Sequence, residues 1–453
     1  MNPYAIILTE SQTPDTLYPF SILHPMFELR CGAVRLFEKV RREFPQSRLF
    51  AMGRASQIAS FFVRFPDVLA APSIDNLDAA ALETLLSNDL FILNASICLT
   101  STLRETLASD VEKIYASHGL GHPLLFTSNG APFAVYCPQS FLRKFQASSE
   151  NSVKTIQETI KELCALQGAP FITAMENALS AEIPEARMMT HLWDALKYSS
   201  AAIADDAHYF HMNGTEKIRG FAGVYGMNAE NISIGEGSEI APCVVIDARK
   251  GAVIIGNNVE IQPHVSIVGP CYIGDNVLVK AGTRLYEGTS LGEYSKVAGE
   301  LKNTIFQSYG NKQHEGCLGY SFIGEWVNLG AGTDVSDLKN NYSTIRVRFS
   351  PHKAREINTG TTSLGLLAGD HTKSGINTSF NTGTVTGIGA NIFEAKPDKY
   401  VRSFSWGGLP DSPLFDEEKA IDLARTVMSR RKRALTEEEE TLLRAEFLRK
   451  YEL

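Results

Sequence analysis

The chain has 453 residues, which is more than one ordinary domain holds and predicts two or three domains. Apolar residues make up 44% and charged residues 21%, so packed cores are expected and extensive disorder is excluded. The 43 Lys and Arg against 51 Asp and Glu give a net charge of −8, which argues against non-specific nucleic-acid binding as the main activity.

The cysteines and the N-terminal residues predict the cellular compartment of the protein. Seven scattered cysteines without a Cys-x-x-Cys pair favour a reducing compartment and argue against a disulfide framework or a structural zinc site. The segment Met1–Glu10 has no basic stretch and a short apolar run, which fits neither a signal peptide nor a membrane span. We therefore expect a soluble cytoplasmic protein, and the residues alone predict no metal site.

The first 200 residues alternate between short apolar runs and longer helix-like stretches. The runs typical of buried strands are Tyr4–Leu8, Arg48–Met52 and Leu90–Leu93. The helix-like stretches are Val34–Phe44, Asn76–Leu86 and Val153–Leu166. This alternation predicts a layered α/β domain over residues 1–213, followed by a Gly-containing linker over 214–230.

From residue 231 the sequence period changes to six. Such a period fits a coil with three flat sides, in which one aliphatic residue per side points inward and Gly or Asn turns each corner. The repeat positions are Ile234, Ile240, Ile246, Ile255, Ile261, Ile267, Ile273, Val279, Leu285, Leu291, Val297, Ile305, Ile323, Leu329 and Val335, with Leu364, Ile376 and Ile388 in looser register. Six glycines in residues 1–200 against 27 in 201–400 agree with this change. A parallel β-helix of hexapeptide repeats is therefore predicted over residues 231–395.

The last part of the chain, residues 396–453, is predicted to be a helical tail. Asp416–Arg433 has the pattern of one helix, and Thr436 followed by three Glu residues has the N-cap pattern of a second. The basic run Arg430–Arg433 is either a phosphate or nucleic-acid patch or a set of cations at a helix C-terminus. The second interpretation is favoured.

Several motifs in the chain resemble those of a known enzyme family. Arg284–Gly292, Lys302, His314 and Asn328–Thr333 resemble, without a gap, the acetyltransferase half of bifunctional N-acetylglucosamine-1-phosphate uridyltransferase/glucosamine-1-phosphate acetyltransferases. The chain is also similar to a divergent branch of sugar nucleotidyltransferases with a hexapeptide tail. The motifs of that branch are Leu17–Phe20, Pro25, Leu29–Gly32, Gly324–Thr333, Asp337–Tyr342, Gly369–Lys373 and Phe404–Gly408. The resemblance implies an α/β nucleotidyltransferase-like N-terminal domain, a left-handed parallel β-helix and a short helical tail.

The resemblance also implies an acyl-transfer site in the repeat domain. Moving an acetyl group from a thioester to an amine needs a base for the amine proton, and His314 lies at the family's catalytic position. Arg284 and Lys302 resemble the pair that binds the sugar phosphate, since a guanidinium fork and an ammonium suit a dianion. The two positions are separated by three hexapeptides, which make one full coil. We therefore expect them to stack on one side if no residue is looped out.

Further positions are implied for the sugar and for the acyl donor. Asn328 is expected to hydrogen-bond the sugar. The segment Gly330–Gly332 offers small residues and free backbone N–H groups to a pantetheine arm or an oxyanion, so Ala331 and Gly332 are the predicted acyl-CoA contacts. Lys373 is expected near coenzyme A phosphates together with His371, with a core or corner role for His371 as an equal alternative.

Two positions depart from the family pattern. Cys317 stands where the family has a sugar-binding Tyr, which puts amino-sugar recognition in doubt because a thiol is a poor hydrogen-bond partner. Cys317 could also be a nucleophile, although a core thiol is the favoured interpretation. The Asn that orients the amine or the oxyanion falls on Asp337 by direct count, or on Asn341 after a four-residue insertion. These two alternatives stay open.

The front domain departs further from nucleotidyltransferases. No Gly precedes Gly32, so the usual Gly-rich phosphate loop is absent, and Asn94 stands where a metal-binding Asp is expected. An amide is a weaker Mg²⁺ ligand than a carboxylate. Arg30 and Gly32 remain as nucleotide-binding candidates, with an ion pair as the alternative role for Arg30.

The resemblance and the departures lead to one favoured function and two alternatives. The favoured function is an acetyl-CoA-dependent acyltransferase on a sugar phosphate or nucleotide sugar, with a sugar-nucleotide-binding front domain that would use Mg²⁺ if it is active. One alternative is a sugar-1-phosphate nucleotidyltransferase whose β-helix mainly builds an oligomer. The other is a non-catalytic scaffold with the same folds. Hexapeptide solenoids of this family typically form trimers, so a homotrimer is expected.

Overall fold

The structure is a computed structural model that describes residues 4–10, 17–71, 79–119, 121–146, 152–165, 179–350 and 356–449. It divides into two compact units. The first unit contains the described residues of 1–16, 24–29 and 35–190, and the second contains residues 17–23, 30–34 and the described residues of 191–453.

The first unit is built on a six-stranded mixed sheet. Its strands are β1 (Tyr4–Thr9), β2 (Arg48–Met52), β3 (Asp89–Asn94), β4 (Leu124–Ser128), β5 (Ala131–Cys137) and β6 (Leu179–Glu182), in the order β2-β1-β3-β5-β4-β6. Strand β1 pairs in parallel with β2 and β3, whereas β5 is antiparallel to both of its neighbours. The three strands expected from the apolar runs are confirmed, and they are buried because each is apolar on both faces.

Helices accompany the sheet, as the alternating pattern predicts. They are α1 (Leu36–Glu43), α2 (Ala55–Arg64), α3 (Ala79–Ser87), α4 (Ser101–His118), α5 (Gln139–Gln146) and α6 (Ser152–Cys164). A 3-10 turn at Met26–Glu28 also belongs to this unit. Ile7, Ile92 and Val135 from three different strands lie in one buried apolar cluster with Leu85 of α3 and Leu163 of α6.

The second unit is a three-sided parallel β-helix. Side 1 consists of Tyr225–Met227, Val245–Asp247, Ser266–Val268, Arg284–Leu285, Glu300–Lys302, Cys317–Gly319, Asp334–Val335 and Ser379–Phe380. Side 2 consists of Ile232–Ile234, Val253–Ile255, Cys271–Ile273, Ser290–Leu291, Ile305–Phe306, Phe322–Ile323, Leu366–Ala368, Thr384–Thr386 and Tyr400–Val401. Side 3 consists of Glu239–Ile240, Glu260–Ile261, Leu278–Val279, Lys296–Val297, Asn311–Lys312, then Asn328 as a single bridge, Lys373–Ser374, Asn391–Ile392 and Trp406–Gly407. An antiparallel pair, Arg346–Arg348 and Glu356–Asn358, lies in an insertion after Val335.

The repeat positions from Ile234 to Val297 fill the interior of this β-helix, as the six-residue period predicts. All eleven of them are almost fully buried in one continuous cluster. Consecutive coils stack by parallel pairing, so that Ile267 is the Cα partner of Leu285, three full hexapeptides later. The buried aliphatic column along each side supplies most of the hydrophobic stabilisation of such a solenoid.

After Val297 the coil shortens and the predicted register is wrong at several positions. Leu285 has Leu301 as its partner, whereas three full hexapeptides would reach Asn303. Ile305 pairs with Ser290 and therefore faces away from the interior, where Phe306 stands instead. Ile376 is 70% exposed, so it is not a core residue. The prediction failed because a fixed six-residue count cannot detect a coil that lacks two positions at a corner.

The remaining elements of the second unit cover parts of the β-helix. Helix α7 (Leu192–Asp206) places Ile203 against Ile254 and Tyr272 of side 2. This packing joins α7 to the second unit, which begins at His191, whereas the boundary predicted from the sequence lies after residue 213. The predicted linker contains a short helix α8 (Gly214–Lys217), a 3-10 turn at Ile218–Gly220 and the first strand of side 1. Further 3-10 turns are Phe20–Ile22, Ala207–Tyr209 and Ala229–Asn231.

The tail contains two helices, α9 (Glu417–Ser429) and α10 (Glu437–Leu448). The predicted cap at Thr436 is confirmed, because its hydroxyl accepts from the backbone N–H of Glu439 and the Glu439 carboxylate accepts in return. In the basic run, Arg431 donates to the carbonyl oxygen of Tyr294 at 3.3 Å and to Oδ1 of Asn311 at 2.8 Å. Arg431 therefore ties the tail to the β-helix and does not cap α9. Among the described residues, no helix has the length and apolar composition that crossing a membrane requires.

Candidate functional site

Four of the expected site residues lie on side 1 or close after one of its strands, namely Arg284, Lys302, Cys317 and Asp337. Arg284 and Cys317 both have Glu300 as a strand partner on the intervening coil, so the three side chains form one outward-facing column. Nε of Arg284 lies 3.3 Å from Oε2 of Glu300, and both side chains are nearly half exposed. The phosphate-binding candidate Arg284 is thus held in a surface ion pair that an incoming anion can replace at little cost.

Lys302 lies on the same side but does not stack on Arg284. The expectation of stacking is wrong because the coil between them is two positions short of three hexapeptides, so Glu300 occupies the partner position and Lys302 stands further along the strand. Nζ of Lys302 lies 3.5 Å from Oε1 of Glu287. Since positions two apart on a strand face the same way, Arg284 and Lys302 still share the outer face of side 1 on a diagonal.

Lys302 lines a cavity of about 620 Å³ in the second unit. Its other walls come from α7 and from the end of the insertion, and they include Trp193, Lys197, Ser200, Tyr320, Thr361 and Ser363. Hydroxyl groups, charges of both signs and one indole ring therefore surround this space. No pattern in the sequence signals the cavity, because it depends on the insertion folding back towards side 1.

His314 lies at the corner between side 3 and side 1, in the connection Gln313–Gly316, and its side chain is exposed. Ala331 and Gly332 occupy the same corner on the next coil. The two corners are joined by a hydrogen bond of 3.2 Å from the N–H of Gly332 to the carbonyl oxygen of Glu315. The structure therefore brings the predicted base and the predicted acyl-CoA contacts together.

The backbone N–H groups of this small-residue corner are less available than expected. Besides the bond from Gly332, the N–H of Gly330 donates to Oγ of Ser374 at 3.0 Å. A Cβ at residue 330 would overlap the carbonyl of Gly375 on the following coil, so the glycine is needed for coil stacking. The expectation of free N–H groups is thus wrong for Gly330 and Gly332.

Cys317 is an exposed residue at the start of its strand, not the core thiol that the sequence favoured. Burial of its sulfur and the charges of Glu300, Asp337 and Asp334 raise its pKa. A raised pKa keeps the thiol protonated, whereas a nucleophilic cysteine needs the thiolate. Its backbone N–H donates to Oδ1 of Asp334 at 2.6 Å, which joins this coil to the next one.

The structure separates the two candidates for the family's Asn. The carboxylate of Asp337 packs over Gly319, which is the strand partner of Lys302. Burial raises the pKa of Asp337, and the nearby Lys302 opposes that effect. Asn341 lies in an exposed turn of the insertion, where its Oδ1 accepts from the N–H of Ser343 at 3.1 Å. Only Asp337 lies beside Lys302.

Asn328 and Lys373 lie on side 3 and not on side 1. They are Cα partners in consecutive coils, and Asn328 is exposed. Nζ of Lys373 donates to the carbonyl oxygen of His371 at 2.7 Å beneath Ile421 and Ala424 of α9. Burial lowers the pKa of Lys373 to about 8. The contact between Lys373 and coenzyme A phosphates stays a prediction, and its ammonium already donates to a backbone carbonyl beside α9.

Arg30 and Gly32, the two nucleotide-binding candidates, are part of the second unit and pack against the β-helix. The Arg30 guanidinium donates to Oε2 of Glu293 and the carbonyl oxygen of Ala33 at 2.7 Å each, and to that of Gln307 at 3.2 Å. Gly32 has a φ of +86°, and a Cβ there would overlap Ala202 of α7. The nucleotide-binding assignment of both residues is wrong, because Arg30 is buried with protein acceptors and Gly32 is packed against a helix.

Comparison with known families gives one match in the first half of the chain and one in the β-helix. Residues 6–213 match the family model described as sugar nucleotidyl transferase, and residues 252–287 match the bacterial transferase hexapeptide model with six repeats. The chain combines a sugar nucleotidyltransferase domain with hexapeptide repeats.

Three curated relatives extend this comparison. A bifunctional protein GlmU of Azoarcus sp. (strain BH72) is 35% identical over 120 residues, covering 25% of each chain. A bifunctional sugar-1-phosphate nucleotidylyltransferase/acetyltransferase of Sulfurisphaera tokodaii is 32% identical over 176 residues, covering 34% of this chain and 43% of that protein. A bifunctional protein GlmU of Methanococcus aeolicus is 31% identical over 172 residues, covering 36% of this chain and 39% of that protein. The chain thus matches less than half the length of each relative.

Within the sugar nucleotidyltransferase domain, the strand end expected to bind a metal is engaged in local contacts. Oδ1 of Asn94 accepts from both the N–H and the hydroxyl of Ser96, at 3.0 and 2.8 Å. In the part of the chain that the structure describes, no three His, Cys, Asp or Glu side chains group so as to hold a metal ion. These residues therefore do not fit a Mg²⁺ site, and no chemical step is derived through one.

The same domain contains buried ion pairs that sequence reasoning missed. Nε of Arg54 lies 3.2 Å from Oε1 of Glu10, and Nη2 of Arg64 lies 2.6 Å from Oε2 of Glu28. Nδ1 of His24 lies 3.0 Å from the same carboxylate. Arg64 and His24 together lower the pKa of Glu28, although burial acts against them.

Proposed function

We propose that the chain is an acyl-CoA-dependent acyltransferase that moves an acetyl group to the amine of a sugar phosphate or nucleotide sugar. The observation that supports this most directly is the grouping at one corner of the β-helix. His314 and the segment Ala331–Gly332 occupy that corner on consecutive coils, and side 1 with Lys302 and Asp337 begins next to it. An amine base, an anion-binding group and a narrow small-residue surface are what acyl transfer to a sugar phosphate needs.

In this proposal Lys302 and Arg284 bind the phosphate. Their present partners, Glu287 and Glu300, lie at 3.5 and 3.3 Å with both members of each pair partly exposed. Such exposed pairs contribute little, so a dianionic phosphate can displace the carboxylates. His314 takes the amine proton as the nitrogen attacks the thioester carbonyl carbon, and the carbon–sulfur bond breaks to release coenzyme A.

The cavity beside Lys302 is the proposed place for the sugar. Its volume of about 620 Å³ suits a small polar ligand. The hydroxyl groups of Ser200, Thr361 and Ser363 offer donors and acceptors that match those of a carbohydrate. The cavity extends away from side 1 towards α7, which leaves room for a ligand larger than a monosaccharide phosphate.

The position of Asn328 supports an oligomeric site. It lies on side 3, whereas Lys302 and Arg284 lie on side 1, so a second copy whose side 3 faces side 1 would bring an Asn328 to the phosphate-binding residues. We therefore propose a homotrimer, in which side 3 of one copy faces side 1 of the next. The free cysteines support a reducing, cytoplasmic location, since all seven lack a disulfide partner.

The front unit is proposed to bind a sugar nucleotide, supported by its match to the sugar nucleotidyl transferase family. Nucleotidyl transfer is the second candidate function, and the same match favours it. Pyrophosphate release from a nucleoside triphosphate and a sugar 1-phosphate in the presence of magnesium would support it. The engaged side chain of Asn94 and the packed Arg30 make acyl transfer the stronger proposal.

The test measures thiol release from acetyl-CoA with a panel of amino-sugar phosphates and nucleotide amino-sugars. Replacing His314 with Ala should lower kcat by about 10²- to 10⁴-fold without lowering the melting temperature, because the side chain is exposed. His264→Ala is the matched control, since His264 is an exposed residue at the same corner three coils earlier. Full activity in His314→Ala would contradict the proposed base, and no turnover of any amino-sugar by the unmodified protein would contradict the function.

A further inference from the structure

A lysine points into the core of the β-helix at a position where every preceding coil has an aliphatic residue. Lys312 is the Cα partner of Val297, and the same inward column contains Val279, Ile261 and Ile240. The side chain of Lys312 is 0% exposed. Burying an ammonium in an apolar interior is costly unless hydrogen-bond acceptors compensate it, so the acceptors of Lys312 identify its role.

Those acceptors are the backbone of the His314 corner. Nζ of Lys312 donates to the carbonyl oxygen of His314 at 2.6 Å and to that of Glu315 at 2.8 Å. The Glu315 carbonyl also accepts from the N–H of Gly332 on the next coil. One ammonium therefore fixes two consecutive peptide groups of the corner from inside and joins them to the corner with the small residues.

These bonds restrain the backbone that carries His314. The held carbonyls of His314 and Glu315 fix two peptide planes, and with them the direction of the Cα–Cβ bond of His314. The corner also continues into Gly316, whose φ of +131° is open mainly to glycine and where a Cβ would press on Nζ of Lys312. Burial lowers the pKa of Lys312, while Asp334 and Glu315 oppose that effect.

We propose that Lys312 is a positioning residue for acyl transfer: from inside the β-helix it holds the corner that carries His314. The proposal rests on the proposed function, because it assigns a purpose to the orientation of His314. It predicts that removing the ammonium, while keeping the side-chain volume, leaves the fold and the substrate contacts but frees the His314 corner. A purely structural lysine would instead change stability alone.

The experiment compares Lys312→Met with Val297→Met, which places the same side chain in the same column one coil earlier. Both proteins carry [13Cε1]-histidine, and the His314 signal among the ten histidines is assigned with His314→Gln. In Lys312→Met we expect that signal to broaden or split, and kcat to fall by about 100-fold with KM for both substrates unchanged. In Val297→Met the signal should stay single and kcat unchanged.

Each result supports or overturns the proposal. An unchanged His314 signal together with unchanged kcat in Lys312→Met would overturn it, and so would equal effects in Val297→Met. If Lys312→Met does not fold, Lys312→Gln is measured, whose shorter amide keeps one donor and should give an intermediate broadening. If His314→Ala retains activity, the proposed function fails, yet the signal in Lys312→Met still reports whether Lys312 holds the corner.

Discussion

The β-helix has two stretches that differ in regularity. From Ile255 to Val297, strand partners on consecutive coils are three full hexapeptides apart, as Ile267 and Leu285 are, and aliphatic side chains fill the interior. From Leu301 to Val335 the strand partners on consecutive coils are closer in sequence by one to three positions, and a lysine enters the core. The candidate residues Lys302, His314, Cys317 and Asp337 all fall in or beside the second stretch.

The contrast between the two stretches distinguishes residues that the hexapeptide repeat requires from residues that a functional site requires. An aliphatic column is satisfied by any residue of the right volume, so nothing in the regular stretch requires a polar group inside. In the irregular stretch, Lys312 is retained in spite of the cost of burying an ammonium, and its acceptors belong to a corner. Departures from local rules that are compensated by specific partners are typical of functional positions.

The largest effect on stability is expected from a variant that places a lysine in the interior of the regular stretch. Val297→Lys puts the ammonium one coil from Lys312 in the same inward column. We expect it to lose several kcal/mol of stability or fail to fold, because no corner carbonyls are shaped to accept its hydrogen bonds. Thermal unfolding followed by circular dichroism measures this effect.

The reciprocal variant Lys312→Ile is the control for that prediction. It removes the buried charge and restores the aliphatic column, so its melting temperature should lie close to that of the unmodified protein. If Val297→Lys has the same melting temperature as Lys312→Ile, any coil accepts an inward lysine, and the contrast between the two stretches has no energetic basis.

The fold could be predicted from sequence wherever one physical pattern dominated. The hexapeptide positions up to Val297, the strands β1, β2 and β3, and the capping box at Thr436 each follow from local residues. The shortened coil could not be predicted, because the sequence between Val297 and Leu301 has no motif that marks the two absent positions. The attachment of residues 17–23 and 30–34 to the second unit depends on long-range contacts, such as the 3.2 Å distance between the hydroxyls of Tyr18 and Tyr400.

Sequence spacing predicted some of the contacts among the candidate residues and missed others. Spacing placed His314, Ala331 and Gly332 correctly near one another, because a corner recurs on each coil. Spacing gave no indication that Lys373 lies beside α9, since that contact appears only in the tertiary structure. Lys312 was missed because the expected register goes from Val297 to Ile305 and does not include position 312. A lysine six positions before Leu318, with the polar neighbours Asn311 and Gln313, was nevertheless a possible signal of an inward position.

Lys373 is a partly exposed lysine whose Nζ donates to a backbone carbonyl, and it carries no proposed role in the reaction. Burial lowers its pKa to about 8 in the folded protein, against 10.5 for an ordinary lysine. Below pH 8 the Lys373 amine is protonated in both the folded and the unfolded protein, so the full free-energy cost of burying its charge is present. Between pH 8 and 10.5 the unfolded protein binds more protons at this group than the folded protein does. Stability therefore rises with pH in that window, by at most about 3 kcal/mol from this group.

Lys373→Met should accordingly be more stabilising at pH 7 than at pH 10. The measurement is the difference in the free energy of unfolding in urea between the variant and the unmodified protein at both pH values, which cancels the other titrating groups. Lys396→Met, at an exposed lysine, controls for the loss of one surface charge. A difference that does not shrink with rising pH would show that Lys373 is solvated or paired in the folded protein.

The smallest expected effect tests whether Asp337 belongs to the site. A Cβ at residue 319 would overlap Oδ2 of Asp337, and Gly319 itself needs no left-handed backbone. Gly319→Ala should therefore push the end of a mobile side chain away from Lys302 without straining the strand. If Asp337 orients the amine, kcat falls by about tenfold and the melting temperature changes by only a few degrees.

Two comparisons decide what that loss means. Gly220→Ala is the matched control, because a Cβ there meets nothing within 4 Å. Asn341→Ala should leave kcat unchanged, since Asn341 lies in an exposed turn of the insertion and bonds only within that turn. Equal losses in Gly319→Ala and Asn341→Ala would assign the family's Asn role to the insertion and remove Asp337 from the site. A loss of kcat that is confined to Gly319→Ala would instead locate the reacting amine between Lys302 and the His314 corner, in the irregular stretch of the β-helix.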